Sequence, residues 1–169
     1  MIGTYITDEN GEIYITDLPT GTYKVIEKTT NKWYNLADEV KIEVKYNQTT
    51  ETTVQNEAKK GQVRVIKVDS ENNKIRIEGV KFEVKDKTGK VLETIITNKN
   101  GEATTSKYPV KDFEKLYLQE ISTKEEYELT EDMTEIELQT DKIKDVTIEN
   151  KKKKGNLKIF KIDEKKSEI

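Results

Sequence analysis

The chain has 169 residues, room for one ordinary domain or a short tandem. Only 33% of it is apolar and 37% is charged, with 30 basic against 33 acidic residues and a net charge of −3; cores must be thin, and the interleaved signs argue against a nucleic-acid surface. It has no cysteine and no histidine, which excludes disulfides, thiolate ligands and Cys nucleophiles and takes away the commonest metal ligand and general base, so neither a cofactor nor a turnover enzyme is expected. Ile and Val number 30 against 8 Leu, and Thr 21 against 3 Ala, a balance that favours strand over helix. No apolar run reaches the roughly 18 residues of a membrane span, and Met1 to Tyr5 lacks the basic-then-apolar pattern of a secretory leader.

Along the chain, Leu18-Pro19-Thr20-Gly21 reads as a turn ahead of the alternating Tyr23-Lys24-Val25-Ile26-Glu27. After the polar connector Ala58-Lys59-Lys60-Gly61, period-two patterns predict strands at 62–69, 80–86, 91–97, 102–106, 115–122, 135–139 and 144–149. Gly89 and Gly101 supply turns between them. Seven short strands of this kind predict an all-β, Greek-key β-sandwich.

The chain also repeats itself. Thr7–Glu12 recurs at Thr97–Glu102, an offset of 90; Glu27 and Tyr34 recur as Glu120 and Tyr127, at 93; Asn56, Gly61, Lys67 and Asp69 recur as Asn150, Gly155, Lys161 and Asp163, at 94. The small drift is what loop insertions produce, and a period near 94 is domain-sized. Residues 1–58 therefore read as the C-terminal part of a first domain, 61–152 as a complete domain, and 155–169 as the first strand of a third, in an excerpt of a longer array. Donation of the terminal strand to the first unit of another molecule is the alternative, and the excerpt is preferred because an acceptor groove has to stay open without collapsing.

Polar residues fall where the apolar phase calls for core. Val63, Val65 and Lys67 share one face of their strand, as do Leu116, Leu118 and Glu120, and Val146, Ile148 and Asn150; the partial units repeat this with Tyr23/Val25/Glu27, Thr52/Val54/Asn56 and Leu157/Ile159/Lys161. An unpaired buried charge costs several kcal/mol. Three answers are open: strand ends that snorkel to water, a buried salt bridge with a hydrogen-bonded asparagine, or a covalent link.

The order Gly61-x5-Lys67-x-Asp69, Gly79-Val80-Lys81-Phe82, Thr97-x2-Asn100-Gly101, Leu116-x-Leu118-x-Glu120 and Val146-x-Ile148-x-Asn150 resembles the Cna protein B-type (CnaB) domains, prealbumin-like sandwich repeats of Gram-positive surface adhesins and pilins. Leu18-Pro19-Thr20-Gly21-Thr22-Tyr23 is similar to that family's segment before its glutamate. The complete unit departs from the pattern at Tyr108 to Glu114, about three residues longer, and at Ser122 to Tyr127, where only the tyrosine is kept. The resemblance implies an autocatalytic isopeptide bond between Lys67 Nζ and Asn150 Cγ assisted by Glu120, with Glu27, Asn56 and Lys161 as the partial-repeat equivalents. Burial disfavours the lysine's charge and frees its amine, while the glutamate polarises the amide and carries protons to the leaving ammonia. It further implies a structural stalk module of a cell-wall-anchored, extracellular protein, whose partners are neighbouring repeats; a ligand-binding module touching host matrix is the other reading.

Other motifs read more simply. Leu18-Pro19-Thr20-Gly21 lacks the residue a cell-wall sorting signal has between Pro and Thr. Lys107-Tyr108-Pro109-Val110-Lys111 is a poor match to a pilin polymerisation lysine, and Glu125/Glu126 is a solvated loop pair. Asp8/Asn10 and Asn98/Asn100 lack the loop of a calcium hand, and Trp33 with Tyr34 reads as a loop covering the core.

Overall fold

The structure, a computed structural model, describes residues 2–162. Among the described residues the regular structure is all β, ten strands, and no helix is long and apolar enough to cross a membrane. The chain divides into two compact units, Met1–Ala58 and Lys59–Ile169.

In the first unit β1 (Gly21–Val25) and β2 (Val40–Val44) form an antiparallel pair. The Leu18–Gly21 segment is a turn into β1, with Tyr23 Oη donating to the Pro19 carbonyl at 2.6 Å. Residues 52–56 carry no strand; the segment is tied down by the Tyr34–Ala58 bridge and by Asn35 N–H donating to Glu57 O. Tyr23, Val25, Ile42, Val44 and Val54 are only half-buried.

In the second unit the strands are β3 (Lys60–Asp69), β4 (Lys81–Lys85), β5 (Val91–Ile96), β6 (Glu102–Thr104), β7 (Tyr108–Pro109), β8 (Lys115–Ser122), β9 (Met133–Glu137) and β10 (Ile143–Asn150). One sheet runs β10-β3-β6, with β7 also on β3; the other runs β5-β4-β8-β9. The first and last strands, β3 and β10, are parallel neighbours over eight residues, from Ile143 opposite Gln62 to Asn150 opposite Asp69. Alternation sends Val63 and Val65 of β3, Phe82 and Val84 of β4, and Leu116 and Leu118 of β8 into one core, each with at most 1% exposure. Such burial contributes roughly 1.5–3 kcal/mol per side chain.

The expected sandwich is present, with differences at strand ends. β3 begins two residues early because Lys60 and Gly61 pair with β7, a strand too short for alternation to announce. β9 starts at Met133, where it meets Gln119 at the end of the β8 ladder, and Leu138 lies beyond it while remaining buried. Thr52 to Asn56 differs for a clearer reason: their counterparts in β10 are strand because β3 lies alongside, and the described first unit offers no such neighbour. The same holds for exposed residues 155–162, while the rest of the strand expected over 155–169, Asp163 included, lies outside the described residues.

The internal repeat has a structural basis. Asp8 Oδ1 accepts from the N–H groups of Asn10 and Glu12, and Asn98 Oδ1 accepts in the same way from Asn100 and Glu102. Both turns close through a glycine in the left-handed region, Gly11 at φ 80° and Gly101 at φ 69°. These side chains are spent on turns. At Gly101 the demand is doubled, because a Cβ would lie 2.6 Å from the Lys67 carbonyl oxygen. Gly101→Ala is therefore expected to cost about 2 kcal/mol or more in urea unfolding, whereas Gly89→Ala, equally left-handed but facing open space, should lose only about 1 kcal/mol.

Candidate functional site

β3 carries the face Val63, Val65, Lys67 and Asp69 inward, so the lysine is a core residue by position, with no solvent exposure. β8 carries Glu120 on the same inward face as Leu116 and Leu118, and β10 ends on Asn150; these two are 3% and 1% exposed. Glu120 stands opposite Phe82 in the β4–β8 ladder, and the Phe82 ring centroid lies 5.7 Å from Lys67 Nζ.

The three polar side chains meet. Lys67 Nζ donates to Asn150 Oδ1 at 2.6 Å and lies 2.7 Å from Glu120 Oε2. Asn150 Nδ2 donates to Glu120 Oε1 at 2.6 Å and to Thr123 Oγ1 at 2.9 Å, while Thr130 Oγ1 donates to Asn150 Oδ1 at 2.8 Å. The ammonium is the polar neighbour of Glu120 Oε2, an ion-pair contact without hydrogen-bond alignment. Burial lowers the Lys67 pKa below the ordinary lysine value, and the Glu120 carboxylate opposes that shift.

One step along the strands sits a second polar cluster. Tyr127 Oη donates to Asp69 Oδ2 at 3.0 Å, and Asp69 Oδ1 accepts from the N–H groups of Glu71 and Asn72. Those donors, the Glu71 N–H foremost, hold Asp69 below the usual carboxylate range, and burial together with that carboxylate pushes Tyr127 up to about 12. The loop carrying Tyr127 is stitched to the segment following Asn150 by Glu128 N–H on Lys151 O and Lys153 N–H on Glu126 O. This cluster fixes the end of β10 and the loop from which Thr123 and Thr130 reach the amide.

The partial-repeat residues are placed differently. Glu27 Oε2 accepts from Asn56 Nδ2 at 2.5 Å and from the Ala37 N–H at 2.7 Å, and the pair is half-buried. The Ala37 N–H, and then the Asn56 amide, lower the Glu27 pKa. Lys161 is exposed in the segment after β10. Sequence reasoning named Lys67, Glu120 and Asn150 but gave no role to Asp69, Tyr127, Thr123 or Thr130. Asp69 and Tyr127 could have been found, since both share the repeat offset and Asp69 is in phase with Lys67. Thr130 carries no such signal.

The fold is thus a prealbumin-like β-sandwich whose core contains a hydrogen-bonded lysine, glutamate and asparagine. Residues 1–58 and 61–152 match the SpaA prealbumin-like fold domain, and the chain belongs to that family. Among solved structures it is similar to the Bacillus anthracis TIE protein, at 26% identity and TM-score 0.73 over 86% of this chain and 28% of that one. It is similar in fold to BcpA, the major pilin subunit of Bacillus cereus, at 22% identity and TM-score 0.51 over 81% of this chain and 41% of that one. It is also similar in fold to domains D2 and D3 of the major pilin SpaD from Corynebacterium diphtheriae, at 23% identity and TM-score 0.51 over 68% and 52%. The chain spans about a quarter to a half of the length of these structures. No curated protein matches it.

The Tyr127 shift carries a pH dependence. Its folded value lies above the roughly 10 of a free tyrosine, so the stability it contributes is whole below pH 10 and drains away as pH rises toward about 12. Tyr127→Phe has no such proton to lose. It should be less stable by about 1 kcal/mol at neutral pH, and its deficit relative to wild type should shrink across that alkaline window in urea unfolding.

Proposed function

We propose that the chain is a structural stalk module of a Gram-positive surface adhesin or pilin, of the CnaB type, whose second unit is cross-linked by an autocatalytic isopeptide bond between Lys67 and Asn150. The observation that carries this reading is the unexposed Lys67 Nζ, 2.6 Å from the Asn150 carboxamide and 2.7 Å from Glu120. Fixing amine and amide in contact supplies the effective concentration that free side chains lack.

The chemistry balances within the trio. Starting from the ion pair, Glu120 takes a proton from Lys67 Nζ, and the freed lone pair forms the bond to Asn150 Cγ. Glu120 delivers that proton to Nδ2 of the tetrahedral intermediate, and the Cγ–Nδ2 bond breaks to release ammonia. Glu120 then passes a second proton from Nζ to that ammonia, which departs as ammonium and leaves a secondary amide and an unchanged carboxylate. Burial, by lowering the Lys67 pKa, favours the neutral amine this needs. The event happens once per molecule, which makes it self-modification.

A bond between residues 83 positions apart closes nearly the whole unit. Treated as a disulfide loop of that length, it would remove chain entropy equivalent to about 4–5 kcal/mol from the unfolded state. It also joins first strand to last, so tension on the module passes through a covalent link. On this reading residues 1–58 and 155–169 belong to the preceding and following repeats, with Gly155, Leu157, Ile159 and Lys161 standing where Gly61, Val63, Val65 and Lys67 stand. The partners are those repeats, at an extracellular, cell-wall-anchored location, and host matrix is met by other domains.

Intact mass tests the proposal. Wild-type chain should be one ammonia lighter than its sequence, while Lys67→Ala and Glu120→Ala should keep the full mass and melt well below it. A full-mass wild type would rule the cross-link out.

A further inference from the structure

The two ends of the Asn150 carboxamide are served by different partners. Nδ2 faces acceptors, Glu120 Oε1 at 2.6 Å and Thr123 Oγ1 at 2.9 Å; Oδ1 faces two donors, Lys67 Nζ at 2.6 Å and Thr130 Oγ1 at 2.8 Å. Attack on Cγ changes this balance. Once Nζ becomes the nucleophile it no longer donates to Oδ1, and it withdraws at the moment that oxygen takes on the negative charge of the tetrahedral intermediate. Of the hydrogen bonds to Oδ1 among the described residues, the one from Thr130 remains.

We infer that Thr130 is a catalytic residue of the self-cross-linking reaction, its hydroxyl acting as the oxyanion donor to Asn150 Oδ1, with Thr123 orienting the leaving nitrogen. The assignment rests on the isopeptide reading above. Its geometry fits the task, since 2.8 Å lies within the roughly 2.7–3.1 Å at which oxyanion donors act. The donor is also held in place: the loop bearing it is pinned by the Tyr127–Asp69 hydrogen bond and by Glu128 N–H on Lys151 O, next to Asn150 itself.

The first unit separates this role from a framework role. At the same spacing from Glu120 and Glu27, Thr123 is matched by Thr30 and Tyr127 by Tyr34, but Thr130 is matched by Ala37. There the backbone N–H of Ala37 bonds Glu27 Oε2 at 2.7 Å, and no hydroxyl is available from that position. A loop of this kind therefore forms with alanine, and Thr130→Ala is a mild change for the fold.

The test follows conversion of the full chain by intact mass during cell-free synthesis. Wild type and Thr130→Ser should lose ammonia at similar rates, whereas Thr130→Ala and Thr130→Val should convert on the order of 10²-fold more slowly. In the Lys67→Ala background, where no bond forms, Thr130→Ala should melt close to its parent. Thr130→Ala converting at the wild-type rate would overturn this assignment alone. So would slow conversion accompanied by a large melting loss in the Lys67→Ala background, which would make the hydroxyl structural. A wild type that never converts would remove the cross-link and this assignment together.

Discussion

A lysine ammonium with no access to water has to be answered inside the protein, because leaving it alone in a core costs several kcal/mol. Lys67 stands in that position, and much of the second unit is arranged around it. Glu120 comes from the facing sheet, Asn150 from the parallel neighbour, and Phe82 lies against the head group. The backbone takes part as well: Lys67 N–H donates to Gly101 O and Lys67 O accepts from Ile77 N–H, an approach so close that residue 101 has no room for a Cβ. A chain with few apolar residues has thus placed a charged one at its centre and surrounded it with partners from three other strands and the loops between them.

The two units show what such a site requires. Both have a glutamate and an asparagine in hydrogen-bond contact at matching positions, and both have the tyrosine seven residues after the glutamate. They differ in burial. Glu120 and Asn150 are sealed, whereas Glu27 and Asn56 are half-buried, and Glu27 takes a backbone N–H where Glu120 takes an ammonium. Solvent near the carboxylate, and no amine in contact among the described residues, make the first pair an ordinary polar contact. What sets the second apart is the adjacent strand that brings the lysine in and closes the core over it.

Much of this was legible beforehand because the side-chain period of a strand is two, so that a polar residue in the apolar phase is conspicuous. Lys67, Glu120 and Asn150 stood out that way, and the repeat offset set them apart from accidents of strand ends. The sandwich followed from the same alternation. Strand limits did not, because Lys60 and Met133 join their ladders through partners far away in sequence. Nor could alternation see β7, which is two residues long. Thr123 carried the repeat signal through Thr30, but Thr130 was hidden for a different reason: it acts from a loop, where no period constrains which way a side chain points, and its repeat counterpart is Ala37.

The parallel pairing of β3 with β10 has one further consequence. Most small sandwiches made by hairpins return the chain near its starting point, but here the first and last strands run the same way. The polypeptide therefore enters the second unit at one pole and departs from the other, displaced by the length of the shared ladder, about 26 Å for eight paired residues at ~3.3 Å each. The distance between entry and exit is set by the ladder itself, whatever the surface carries.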